Sequence, residues 1–285
     1  MDRFKETKKA GLFGIIGNIF LLIIKGSIGL LTNSQAMIAD SANSAADIFA
    51  SAMTFIGNKI ASEPKDESHN FGHGKAEYIF SLFISISMII VALKLLFDSI
   101  CSLVQKNFME FSWILVLVCI ITIIVKFCLY IYTNKLCKKY NNILLEANSK
   151  DHRNDCVVTT FTLISILATL FNIYWLDSVV GMGISLWIAI TGIKIFCESF
   201  NILMDKSLDE DTKDLILNII RNYDDVQDVT NFYTTPVGYQ YMVVLTICVD
   251  GNMSTFASHT LADTLENEIN NLDKIYNTTI HVNPI

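Results

Sequence analysis

The sequence predicts a membrane α-helical bundle of six transmembrane helices followed by a cytoplasmic α+β domain at the C-terminus. Three observations carry this. The 285 residues are 52% hydrophobic and only 17% charged, with a mean hydropathy of +0.44, whereas a soluble domain carries about 25% charge. Six segments reach the ~20 residues that a helix needs to cross the bilayer core. Past residue 206 the long apolar runs stop and shorter alternating elements begin. The expected domains are therefore 1–206 in the membrane and 207–285 outside it.

The six segments run near 10–31, 36–60, 78–104, 110–134, 145–172 and 176–200. Residues 1–9 carry both signs of charge and no cleavage site, and the apolar run after them is too long for a signal-peptide core. The second and fifth segments are the least apolar. The second places Asp40, Asn43 and Asp47 among serines and alanines. Such residues are costly against lipid, so these two helices should sit inside the bundle.

Basic residues in short loops set the orientation. The N-terminal tail holds Arg3, Lys5, Lys8 and Lys9, the 2–3 loop Lys65 and Lys75, and the 4–5 loop Lys135, Lys138 and Lys139; Lys206 follows the sixth segment. On the other side only Lys106 appears, in the 3–4 loop. Both termini are expected in the cytoplasm, in a multi-pass protein of a bacterial plasma membrane.

After Leu208 an acidic first turn precedes a helix-spaced run, which suits a helix N-terminus. Strand-like runs at Val226–Tyr233 and Tyr239–Val249 flank a turn at Pro236–Gly238, Ser254–Leu272 is helical, and Thr278–Val282 is a last strand. The order α-β-β-α-β suggests helices on one face of a small sheet. The net charge of −7 argues against nucleic acid as a partner, and the 7 cysteines include no C-x-x-C pair. Most lie in apolar runs, where a thiol packs as a small hydrophobe.

The chemistry lies in the two polar segments. Asn43 and Asp47 are four apart, with Asp40 three before Asn43, so all three share one stripe of a helix. The fifth segment repeats the spacing with Asn148, Asp151 and Asp155. Two helices, each offering an oxygen pair one turn apart, can close four ligands around one cation. The bland alternative is that these carboxylates hydrogen-bond neighbouring helices. The repeated spacing favours the cation, because a bound dication compensates the burial of carboxylates.

Here the chain resembles the cation diffusion facilitator family of divalent metal exporters. The resemblance covers the whole chain. It includes the loop His-Asn-Phe-Gly-His-Gly-Lys-Ala-Glu from His69 to Glu77, and Leu-Met-Asp at Leu203–Asp205. It implies a ferredoxin-like C-terminal domain and a homodimer, with the transport site on Asn43, Asp47, Asp151 and Asp155. Zinc exporters of the family typically place histidine where this chain has Asp151. Three carboxylates and an amide are hard oxygen ligands that suit Mn²⁺, while imidazole and thiolate suit Zn²⁺. The Asn-x3-Asp and Asp-x3-Asp combination is similar to the manganese branch. The expected substrate is Mn²⁺, exchanged for protons by alternating access, with Zn²⁺, Fe²⁺ or Cd²⁺ as alternatives and no permanently bound cofactor. His152 is about 100° round the helix from Asp151 and is expected to point away from the site.

The resemblance also marks Asp66, His69 and His73 as a candidate peripheral metal site, although His73 equally suits a structured turn with Gly72 and Gly74. His259 and His281 are the remnant of a candidate C-terminal metal site, with Gln227, Thr246 and Asn283 where relatives carry other ligands. Lys75 and Asp205 are expected to form a structural salt bridge near the dimer contact. A cation channel and a non-transporting metal receptor are the readings from other classes. With six spans, no phosphate-binding glycine loop and no nucleophile–base pair, an enzyme is not expected.

Overall fold

The computed structural model describes residues 2–32, 35–105, 112–171 and 175–285. Lys106 lies outside these ranges, and within them the side chains at a number of helix positions, Asp40 and Asn43 among them, lie outside the description. The molecule divides into two compact units, one of 1–62 and 76–200, the other of 63–75 and 201–285.

The first unit is a bundle of six long helices: α1 (Asp2–Thr32), α2 (Gln35–Ala61), α3 (Ala76–Gln105), α4 (Trp113–Tyr140), α5 (Ile143–Ala168) and α6 (Trp175–Leu203). Four of them, α1, α3, α4 and α6, are apolar and long enough to cross a membrane. Helices α2 and α5 have 27 and 26 residues. At 1.5 Å per residue that length would span the ~30 Å hydrocarbon core. Their aspartates, asparagines and serines make them less apolar, so among the described residues four of the six helices meet both the length and the apolarity of a membrane span. Apolar side chains such as Ile16, Phe20 and Ile23 of α1 are exposed, while serines, threonines and asparagines such as Asn18, Ser51 and Ser85 are buried. That inversion suits lipid around the bundle.

Small residues set the closest approach. A Cβ on Gly14 of α1 would lie 2.5 Å from Ser51 Oγ of α2, so glycine is what lets the two helices meet. Helix α4 turns a stripe inward, since Thr122, Lys126, Leu129 and Thr133 recur every three or four residues and are buried. It ends at Asn141 in the left-handed region (φ 45°), whose N–H donates to Cys137 O. Asn142 then caps α5: its Oδ1 accepts from the N–H groups of Leu144 at 2.9 Å and Leu145 at 3.1 Å. Its Nδ2 donates to Glu77 Oε1 at 3.1 Å. Arg3 forms a two-pronged pair with the same carboxylate, 2.6 Å on each prong. One buried cluster thus joins the starts of α1, α3 and α5, and this contact extends α1 back to Asp2, ahead of the apolar run. Breaking such a pair from one side leaves a buried charge unpaired and costs ~3–5 kcal/mol. Arg3→Ala is therefore expected to lower the thermal midpoint of the purified protein markedly, and Arg3→Lys less so.

The second unit contains α7 (Glu210–Arg221), β1 (Asp228–Val237), β2 (Gln240–Val249), α8 (Thr255–Asn270) and β3 (Ile275–Pro284). The sheet order is β1-β2-β3, with β1 antiparallel and β3 parallel to the central β2. This is the ferredoxin-like order without its first strand. Pro236 lies inside β1 opposite Tyr241, beyond the expected strand end. An edge strand tolerates a residue that cannot donate. The turn residue is Gly238, at φ 62°. Val243, Leu245 and Ile247 of β2 pack with Ile216 and Ile220 of α7 and Leu265 of α8 in one apolar core. Asp209 caps α7 by accepting from Thr212 N–H, and Ser254 caps α8 through Ala257 N–H.

Candidate metal transport site

Asp47 comes from α2, and Asp151 and Asp155 from consecutive turns of α5. Asn43 sits one turn before Asp47 on α2, with its side chain outside the description. The element that joins the two helices is Lys126 of α4, 1% exposed. Its Nζ donates to Asp47 Oδ2 at 2.6 Å and to Asp155 Oδ2 at 2.5 Å. Carboxylates from both helices therefore converge on a single cationic centre. Asp151 Oδ2 is buried without a hydrogen-bond partner among the described residues, as are both side-chain amide atoms of Asn148. A cavity of about 290 Å³ adjoins the cluster, lined by Lys25, Asp47, Asp98, Lys126, Asp151 and Asp155 among others.

His152 departs from expectation. One of its ring nitrogens lies within 4.8 Å of a carboxylate oxygen of Asp151 and of Asp155. The ring is fully buried, and both nitrogens lack a hydrogen-bond partner among the described residues. A rotation of about 100° separates directions, but adjacent Cβ atoms on a helix remain close, and Gly14 leaves room for the ring, with its Nε2 3.5 Å from where a glycine Cβ would stand.

Lys126 was not singled out from sequence, although its signal is plain: a lysine in an apolar span is expensive and should have an acidic partner. Lys25, inside α1, gives the same signal and lines the same cavity.

In the second unit Asp66, His69 and His73 do come together. His69 Nδ1 lies 3.1 Å from Asp66 Oδ1, and His73 Nε2 3.6 Å from Asp66 Oδ2. His73 Nδ1 lies 3.2 Å from Pro64 O, the kind of outer contact that orients a metal-binding ring. Gly72, at φ 77°, makes the turn between the histidines. The backbone N–H of His69, with help from its ring and from Ser68 N–H, holds the Asp66 carboxyl below its ordinary range. The cluster thus presents an ionised carboxylate and two imidazoles.

Lys75 and Asp205 pair at 2.9 Å within one chain. Thr235 Oγ1 also donates to Asp205 at 2.9 Å. The ammonium of Lys75 is the main reason that the Asp205 carboxyl is held low. His259 is exposed on α8 beside Asp263 at 3.4 Å. His281 faces solvent on β3. Among the described residues neither belongs to a group of three potential metal ligands.

Two family descriptions account for nearly the whole chain. Residues 12–204 match the cation efflux transmembrane domain, and residues 208–285 match the cation efflux protein cytoplasmic domain. The chain belongs to the cation efflux family. Similar proteins include an uncharacterized transporter of Methanocaldococcus jannaschii, 30% identical over 98% of both chains. The manganese efflux system protein MneS of Bacillus subtilis is 32% identical over 100% of this chain and 99% of its own. MneP of the same organism is 26% identical over 99% and 98%. As a cation efflux protein this chain is a membrane transporter of divalent metal ions, not an enzyme, and its cytoplasmic domain is the family's dimerisation module.

Proposed function

We propose that this transporter exports Mn²⁺ in exchange for protons, through a site made by Asn43, Asp47, Asp151 and Asp155. The observation that carries the reading is the convergence of carboxylates from α2 and α5 on one buried cation. An all-oxygen set suits Mn²⁺ and removes the advantage that nitrogen and sulfur ligands give Zn²⁺. The similarity to MneS and MneP over their full lengths points the same way. Metal requires ionised carboxylates, so an arriving ion expels any protons that the empty site holds. Zn²⁺ is the second reading, favoured by the imidazole of His152 beside the aspartates.

In this reading all six helices of the bundle cross the plasma membrane of a bacterial cell with both termini in the cytoplasm. The cavity draws on Lys25, Asp98 and Thr162, toward the C-terminal ends of α1, α3 and α5. With a cytoplasmic N-terminus that is the external half, where an exporter releases its ion. Asp66, His69 and His73 form a separate peripheral metal site whose imidazoles suit Zn²⁺, and no resident cofactor takes part. Dimerisation through the C-terminal domain completes the assembly.

Proteoliposomes test the coupling. A lumen more acidic than the bath is expected to accelerate Mn²⁺ uptake several-fold, and uptake should alkalinise the lumen, because each entering ion is exchanged for protons that leave. Uptake indifferent to the gradient would remove proton exchange, and complete suppression by equimolar Zn²⁺ would favour the second reading.

A further inference from the structure

Lys126 has no place in the ligand set, yet it fills the centre of it. Its stem is packed in the bundle and its ammonium bridges Asp47 and Asp155 in two close ion pairs. Both of those carboxylates belong to the proposed ligand set. A dication held between the same two carboxylates would stand within a few ångströms of the ammonium, and like charges at that separation in a low-dielectric interior repel strongly.

We propose that Lys126 is a tethered cation that occupies the transport site when metal is absent, and that metal enters by displacing its ammonium. This rests on reading Asp47 and Asp155 as metal ligands. Three features support it. The lysine comes from α4, a helix that contributes none of the four expected ligands, so its insertion between α2 and α5 is not a by-product of the ligand pattern. Its four-carbon stem is flexible and its charge compact, so withdrawal requires side-chain rotation and no movement of the helix. The adjoining cavity gives the ammonium room, and it is lined by Asp98 of α3, an acid outside the ligand set. The consequence is built-in competition. An exporter must release its ion on the far side, and a resident cation that recaptures the aspartates lowers affinity and promotes release. It also keeps the carboxylates compensated while the empty site returns.

Calorimetry of Mn²⁺ binding to the detergent-purified full chain decides this, with Lys126→Met, Lys126→Gln and Asp155→Ala in parallel. Removing the competitor is expected to tighten Mn²⁺ binding at least 10-fold in Lys126→Met, while uptake shows a lower KM and a lower maximal rate. A lysine that only braces the helices would change the melting temperature and leave affinity unchanged or weaker, and that result overturns the proposal. Should neither lysine variant fold, the unmodified chain with ¹⁵N at lysine Nζ gives the answer. Saturation with Cd²⁺ should shift one ion-paired ammonium resonance, and a spectrum that ignores the metal overturns the proposal. If the wild-type chain binds Mn²⁺ and Asp155→Ala does so equally well, the ligand assignment itself fails, which is distinct from a wild type whose binding depends on Asp155 but not on Lys126.

Discussion

Asp155→Ala is expected to reduce Mn²⁺ uptake to background and to weaken Mn²⁺ binding by at least ~100-fold, about 2.8 kcal/mol at 1.4 kcal/mol per tenfold. The size of the effect follows from the number of jobs at this position. In the proposed site Asp155 supplies a hard oxygen ligand; it also sits one turn from Asp151 on the same face and holds half of the Lys126 ion pair. A site that loses one carboxylate loses charge as well as a ligand, and oxygen sites are tuned by how many charges they present. Folding should survive, because Asp47 still pairs with Lys126 at 2.6 Å. Asp155→Asn keeps the volume and removes only the charge, so it separates packing from ligation. Calorimetry with Mn²⁺ and vesicle uptake check both variants. Uptake at the wild-type rate would place the pathway elsewhere.

Asp151→His is the second large effect. It is expected to move the Zn²⁺ to Mn²⁺ affinity ratio at least 10-fold toward Zn²⁺. Imidazole is a borderline-soft donor, and exchanging one carboxylate for it removes the equalising influence of an all-oxygen set. The neighbouring His152 strengthens the expectation: a second ring nitrogen already lies within 4.8 Å of the Asp151 and Asp155 oxygens. The variant would thus hold two imidazoles beside two carboxylates. Competition binding with both metals measures the ratio. A ratio unchanged from wild type would mean that selectivity is set by the shape of the cavity rather than by donor type.

Much of this was legible from residue spacing. Asn43–Asp47 and Asp151–Asp155 at four-residue intervals announced two facing helices, because polar groups in apolar surroundings must find one another. The α-β-β-α-β order of the C-terminal domain followed from the change in period near Leu208. What escaped was set by three-dimensional proximity. Lys126 looks like an isolated charge in α4 until α2 and α5 bring their acids to it. His152 points off the ligand face by helical geometry, yet burial and the space at Gly14 keep it at the site. The edge position that lets Pro236 stay in β1 depends on strand order, which no single strand reveals.

The capping cluster at Asn142 has a mechanical meaning. Bonded to the first turn of α5 and, through Glu77 and Arg3, to α3 and α1, it pins one foot of the helix that carries Asp151 and Asp155. A helix pinned at one foot can rock but cannot slide. Asp151 stands about 14 Å along the axis from the pivot and Ala168 about 39 Å. A swing that displaces the ligand by 1 Å therefore carries the far end of α5 through nearly 3 Å. In that geometry a small shift at Asp151 would be magnified about threefold at the opposite end of α5.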